Sequence, residues 1–125
     1  MDTNKLIQPS NSSICSVDLE GNFNYVNPAF SQVNGYSSEE LRDKKFKDLL
    51  YPEDLISTAE TFYQLLKGKE LLNFETSNVH KDEFLRYISW TTYVVPDEEA
   101  VYAIGDDVTS QRLSEHTCIL GFLMP

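Results

Sequence analysis

Apolar and polar positions change their period along the chain. Residues 14–19 form a short β-prone stretch, Glu20-Gly21-Asn22 supplies a turn, and Phe23 to Val26 alternates apolar with polar, which predicts a hairpin. Asn27-Pro28 reads as an N-cap followed by proline at the first helical position. Ala29, Phe30 and Val33 continue a short helix that Gly35 ends. Ser37 and Glu40 stand at capping-box spacing and start another brief helix that carries Leu41 inward. Phe46, Leu49 and Leu50 make a further apolar patch. Pro52-Glu53-Asp54 then opens the clearest helix, with Asp54 as its expected cap and Gly68 at its end. Leu55, Ala59, Phe62 and Leu66 recur at spacings of four, three and four, the stripe of an amphipathic helix.

Beyond Gly68 the period becomes two. Residues 71–79, 85–95 and 100–108 predict three strands, joined by turns at His80-Lys81-Asp82-Glu83 and Pro96-Asp97-Glu98-Glu99. Thr109 is positioned to cap a last segment, in which Leu113 and Leu120 stand seven apart, the start of a coiled-coil-like seam. Two strands, a helical block and three strands predict an α+β domain with one antiparallel sheet. The expected organisation is a lead-in segment over 1–13, one domain over 14–109, and an exit helix or linker over 110–125.

Composition narrows the chemistry. The 125 residues allow one domain with a proper core, and 41% apolar with 24% charged residues is ordinary globular usage. Twenty acidic against ten basic side chains give a net charge of -10, which repels phosphate backbones and anionic lipid. Neither nucleic acid nor direct membrane contact is expected, and the charge reads as solubility. Cys15 and Cys118 form no CxxC pattern, so reduced thiols and a cytoplasmic setting are the default. The longest apolar run, residues 118–124, is far short of a membrane span, and the N-terminus lacks a signal-peptide layout. His80 and His116, the only histidines, cannot build a multi-histidine metal centre. There is no GxGxxG, P-loop or GxSxG. Lys44, Lys45 and Lys47 read as a solvated loop. The acids at Glu39-Glu40, Glu53-Asp54 and Asp97-Glu98-Glu99 are sequence neighbours at caps and turns and do not converge on a substrate. Catalysis is not expected.

Several linked signatures carry a family resemblance: Asp18-Leu19-Glu20-Gly21, Tyr25-Val26-Asn27-Pro28-Ala29-Phe30, Gly35-Tyr36-Ser37-Ser38-Glu39-Glu40-Leu41 and Pro52-Glu53-Asp54. Gly68-Lys69, Trp90 within a long strand and Gly105-Asp106-Asp107-Val108-Thr109 follow. In this order and at these separations, from about Ile14 to Arg112, the chain resembles a PAS domain with its C-terminal PAC motif. Such domains occur in bacterial and archaeal sensory-box histidine kinases. The resemblance implies a five-stranded antiparallel sheet with short helices and one longer helix packed on one face. One departure is visible. The family's Asp-Gly in the turn before the fourth strand is Asp82-Glu83 here, and positive φ costs Glu about 1 kcal/mol or more. Another turn type, or a longer turn, is therefore expected.

The resemblance also implies a function. PAS domains are commonly signal-input modules of larger proteins, so a covalently linked output domain, a homodimer and a small-molecule ligand are the implied partners. A ligand-free dimerisation or interaction module is the alternative. The photoactive flavin subgroup needs a cysteine in an Asn-Cys-Arg-Phe-Leu-Gln stretch. Here Lys45-Phe46-Lys47-Asp48-Leu49-Leu50 puts Phe46 in its place, while Cys15 lies on the first strand and Cys118 on the tail. Haem-binding members commonly use a His on the main helix, and residues 54–67 contain none. His80 and His116 read as surface residues. Flavin photochemistry and His-ligated haem are thus disfavoured, and the cofactor is unknown.

Strand alternation and the resemblance together place Phe74, Thr76 and Asn78, then Ile88, Trp90, Thr92 and Val94, then Ala103 and Gly105, on the inner face. Leu50, Leu55 and Phe62 would close a pocket from the helical side. A ligand cavity and a filled core are both consistent with such walls. Asn78 is the sharpest polar candidate, and Trp90 is either core anchor or stacking platform. Asp107 and Thr109 mark the signal exit. Asp107 could receive a hydrogen bond or ion pair from a neighbouring strand, and Thr109 could cap the exit helix.

Overall fold

The computed structural model describes residues 12–68 and 72–115. The expected lead-in up to residue 11, Lys69, Leu71, His116, Cys118 and Leu120 lie outside them. Five strands form one antiparallel sheet in the order β2-β1-β5-β4-β3: β1 (Ser13–Asp18), β2 (Phe23–Val26), β3 (Leu72–Val79), β4 (Leu85–Val95) and β5 (Ala100–Asp107). Between β2 and β3 lie α1 (Pro28–Asn34), α2 (Ser38–Leu41), two 3-10 turns (Phe46–Leu49 and Pro52–Asp54) and α3 (Leu55–Leu66). A helix α4 (residues 109–115) leaves the end of β5.

Local chemistry sets these boundaries. The Asp18 carboxylate gathers the amides of Glu20 and Asn22, both at 2.9 Å, and so closes the β1–β2 turn. Burial alone pushes Asp18 up. The hydrogen bonds from Asn22 and Glu20, with Lys45 nearby, outweigh it and hold the carboxyl below its usual range. Asn27 Oδ1 accepts from Phe30 N as the cap of α1 and also from Ile14 N on β1, both at 2.9 Å, while its amide donates to Ser12 O. One side chain therefore starts a helix and fastens it to the sheet. Ser37 and Glu40 form the reciprocal capping box of α2.

Two expectations fail here. The β3–β4 turn neither lengthens nor avoids positive φ: Glu83 takes φ +73, and Glu83 N donates to His80 O at 2.7 Å. A three-residue loop between His80 and Phe84 needs a left-handed residue at its last position. The pairing of the long β3–β4 ladder, which runs to Val79 and Leu85, forces Glu83 into that role. The second fails only in its chemistry: Asp54 stands at the N-cap of α3 as expected, but its side chain makes no capping hydrogen bond. Its Oδ2 accepts instead from Ser77 N on β3, tying the start of α3 to an edge strand.

The core lies between the helical segment and one face of the sheet. Its larger part gathers Cys15, Phe30, Leu41, Leu49, Ile88, Trp90 and Ala103, and its smaller part Val17, Leu65 and Val101. α3 is rotated from the expected stripe. Thr58, Thr61, Phe62 and Leu65 face inward around a small void, and only Leu65 is fully buried. Leu55 and Leu66 are 40% and 45% exposed. Four apolar residues in helical register outweigh two threonines on paper. Packing decides otherwise: Phe62 and Leu65 turn to the sheet with Thr58 and Thr61 beside them, and Leu55 and Leu66 are left on the outer side.

Candidate functional site

Hydrogen bonding and ring packing build the region under α1. Trp90 Nε1 donates to Thr76 Oγ1 at 2.8 Å, Thr76 Oγ1 donates to Asn78 Oδ1 at 2.7 Å, and Asn78 Nδ2 donates to Asn34 Oδ1 at 2.8 Å. Asn34 Nδ2 completes the relay on Phe30 O at 3.0 Å. All five residues are buried. In low dielectric each link strengthens the next, whereas a missing link would leave an expensive orphan. Around this relay Trp90 packs against Phe46 and Phe30, with ring centroids 5.4 and 6.1 Å away, and Phe23 meets both phenylalanines. Gly105 allows the indole to lie on the β5 backbone, since a Cβ there would come within 2.6 Å of Trp90.

Strand alternation placed the inner-face residues on the correct side. Thr76, Asn78, Ile88, Trp90, Thr92, Ala103 and Gly105 are all buried, while Phe74 and Val94 are half-buried. They do not share one cavity. Phe74, Thr92 and Phe62 line an apolar void of about 30 Å³ beneath α3, together with Cys15, Phe46 and Val101. Trp90, Asn78, Ile88 and Gly105 belong to the filled part. Leu50 is buried and bridges to Asn78 across the turn that precedes α3. Leu55 closes nothing: it is exposed and does not line the void beneath α3. Burial pushes the Cys15 thiol up, which makes it a packing group and not a nucleophile.

Asp107 and Thr109, the residues expected at the signal exit, come together. Asp107 Oδ1 accepts from the N–H and the hydroxyl of Thr109, and Asp107 Oδ2 lies 3.5 Å from Arg86 Nη1 on β4. Thr109 is the first residue of α4 and not its cap. The Asp107 carboxylate satisfies the leading amide, and Thr109 Oγ1 accepts from Tyr87 N at 2.9 Å. Arg112 then grips Glu75 on β3 through both carboxylate oxygens, at 2.8 and 3.1 Å. Thus α4 is fastened to β4 and β3 as soon as it leaves β5.

Two residues central to this architecture were missed. Asn34 stood unremarked in α1, although a buried Asn78 needs an amide partner. His80 is no surface histidine: its side chain is 12% exposed and stacks on Phe84 at 4.1 Å. A Cβ at Gly35 would come within 2.3 Å of the imidazole, so the ring covers the end of α1. The proximity of Gly35 to the β3–β4 turn is a tertiary fact with no local pattern. Among the described residues no group of three or more His, Cys, Asp or Glu could hold a metal ion. Among them too, no helix is long and apolar enough to cross a membrane.

The model of the PAS fold family matches residues 23–105. The chain belongs to the PAS family. This PAS domain is 30% identical over 122 residues to phytochrome B1 of Solanum lycopersicum, covering 87% of the chain and 10% of the relative. It therefore spans about a tenth of the length of that curated relative. Its fold is similar to a domain of a sensory box sensor histidine kinase/response regulator from Geobacter sulfurreducens, at TM-score 0.71 and 21% identity, covering 84% of this chain and 90% of that one. It is also similar to the PAS domain of the RpfR quorum-sensing receptor of Cronobacter turicensis, in complex with C12:0. There the TM-score is 0.71 and the identity 16%, covering 82% and 99% of the two chains.

Proposed function

We propose that this PAS domain is the signal-input module of a larger signal-transduction protein of the histidine-kinase kind, and that it passes its state to an output domain through α4. The observation that carries this reading is the Asp107–Thr109 junction. It joins the first turn of α4 to Arg86 and Tyr87 of β4, so a displacement of the sheet is felt at the root of the exit helix. The setting is cytoplasmic, the partner copy is a second PAS domain, and the domain itself performs no catalysis.

The input in this reading is a small apolar molecule. The void beneath α3 is about 30 Å³, against the hundreds of Å³ of an ordinary ligand site, so binding requires α3 to move outward. Its lining is apolar, and the C12:0 complex of the Cronobacter relative supports an acyl chain as the ligand class. The near-closed core favours a second reading, a ligand-free dimerisation module.

Dodecanoate titration separates the two. The input reading expects saturable quenching or enhancement of Trp90, the only tryptophan, and a retained acyl chain in native mass spectra. A bare dimer that ignores dodecanoate favours the second reading. In the longer parent protein, Asp107→Ala should uncouple output from stimulus. Unchanged signalling there would remove α4 as the transmitting element.

A further inference from the structure

The tip of the β3–β4 hairpin is docked onto α1 and α2 by one imidazole and its neighbours. His80 lies on Gly35 on one side and stacks on Phe84, with the rings 15° from parallel. Phe84 also carries the Arg86 guanidinium, 4.9 Å from its centroid, and Arg86 reaches Asp107 at the root of α4. A continuous column thus runs from the end of α1 to the signal exit: Gly35, His80, Phe84, Arg86, Asp107, Thr109. Arg86 is its loosest member, because its buried Nε has no partner and its contact with Asp107 is long.

His80 holds this column in one protonation state. Its Nδ1 accepts from Asp82 N at 2.9 Å, which requires the neutral ring with its proton on Nε2. A proton on Nδ1 turns that acceptor into a donor facing another donor. The exposed Asp82 carboxylate, with Oδ2 3.8 Å from Nδ1, can take that proton, but the Asp82 N–H that faces Nδ1 must then turn away, which rebuilds the turn. The other groups around the ring are few. The turn supplies Lys81, Asp82 and Glu83, and Lys81 is already paired with Glu40 of α2 at 2.6 Å. β4 supplies Arg86 across Phe84, and α1 presents the uncharged Asn34 and Gly35, with Asn34 O accepting from Lys81 N. An imidazolium would therefore share the Phe84 ring with Arg86, and the like charges would press Arg86 away from its position beside Asp107.

We propose that His80 is a proton-sensitive latch: the neutral ring fixes the hairpin tip to α1, and protonation rebuilds the turn and displaces Arg86 from Asp107, loosening the root of α4. The reading end is the exit helix of the proposed function, but the coupling is a property of this chain and is measured without any output domain.

The test is a pH titration by NMR between about pH 5 and 8, the range in which histidine changes charge. It uses the H116Q chain, so that His80 is the only imidazole. The ring of His80 and the amides of Asp82, Thr109 and Arg112 should shift with one common midpoint. In H80N, whose amide oxygen keeps an acceptor for Asp82 N but does not titrate, all of these shifts should vanish. In F84L the ring and Asp82 should still titrate while Thr109 and Arg112 stand still. The proposal is overturned if Thr109 and Arg112 ignore the titration of His80. Their moving in H80N as they do in the parent chain overturns it too, as does a ring that does not titrate in this range. Failure of Asp107→Ala to alter signalling would instead count against the output reading and leave the latch standing.

Discussion

The two halves of the interior are built on different principles. Under α1, a relay of four side-chain donors links Trp90, Thr76, Asn78, Asn34 and the Phe30 carbonyl, and aromatic rings fill the remaining space. Under α3, contact is apolar, one residue of the helix is fully buried, and an unfilled void of about 30 Å³ persists. Directional bonds tolerate one arrangement, whereas apolar contacts around a void leave room to relax. The α1 half is thus a fixed reference, and the α3 half is where the domain gives way. Under the proposed input reading, a ligand-driven change would start most cheaply at α3 and be read against the other half.

The sharpest way to break this contrast is to remove the indole. Trp90→Ala should cost about 4 kcal/mol in chemical denaturation, from lost burial and the abandoned Thr76 hydroxyl. A loss below about 1 kcal/mol would show that the α1 half also relaxes freely. Next comes Asn78→Leu, of nearly equal volume, which orphans Asn34 Oδ1 and the Thr76 proton. About 3 kcal/mol should go, although the change adds apolar surface. If stability rose, the relay would be a burden and not a lock.

On the opposite side Leu65→Ala should cost only about 2 kcal/mol, the low end for leucine, because α3 can settle into the enlarged void. Its amides should also exchange with solvent well before those of β4 at Trp90, and coincident exchange would erase the distinction. The smallest effect is a gain. Glu83→Gly relieves a left-handed glutamate in the turn that anchors the α1 half, and should raise the midpoint by the equivalent of about 1 kcal/mol.

The same contrast explains what could be read from the chain. Short-range rules located β2 and β4 to the residue, the Asn27-Pro28 start of α1 and the Ser37–Glu40 box, because those patterns are satisfied within a few residues. Alternation put Thr76, Asn78, Trp90 and Gly105 on the correct face, since a pleated strand leaves no other choice. The rotation of α3 was hidden, because Leu55 and Leu66 resemble core residues until the sheet beneath proves to admit Thr58 and Thr61. Asp54, Thr109 and His80 were misjudged for one shared reason. Each has a local role available and spends its hydrogen bond or ring on a partner from a distant element: Ser77, Tyr87 and the Gly35 backbone. Local propensity competes with tertiary contacts, and at these joints the tertiary contact wins.

The adjacency of β1 and β5 has a mechanical consequence. Ser13 pairs with Gly105, and Ser12 Oγ donates to Asp106 Oδ1 at 3.0 Å, so the incoming and outgoing backbones run side by side, roughly 5 Å apart. Tension applied between them loads the Ser13–Gly105 rung first. The six paired residues of β1 then open one after another, as a zipper does, and are never sheared together. Traction that arrives through α4 meets the Arg112–Glu75 grip on the edge strand β3 first, and the seam between β1 and β5 unzips once that grip lets go.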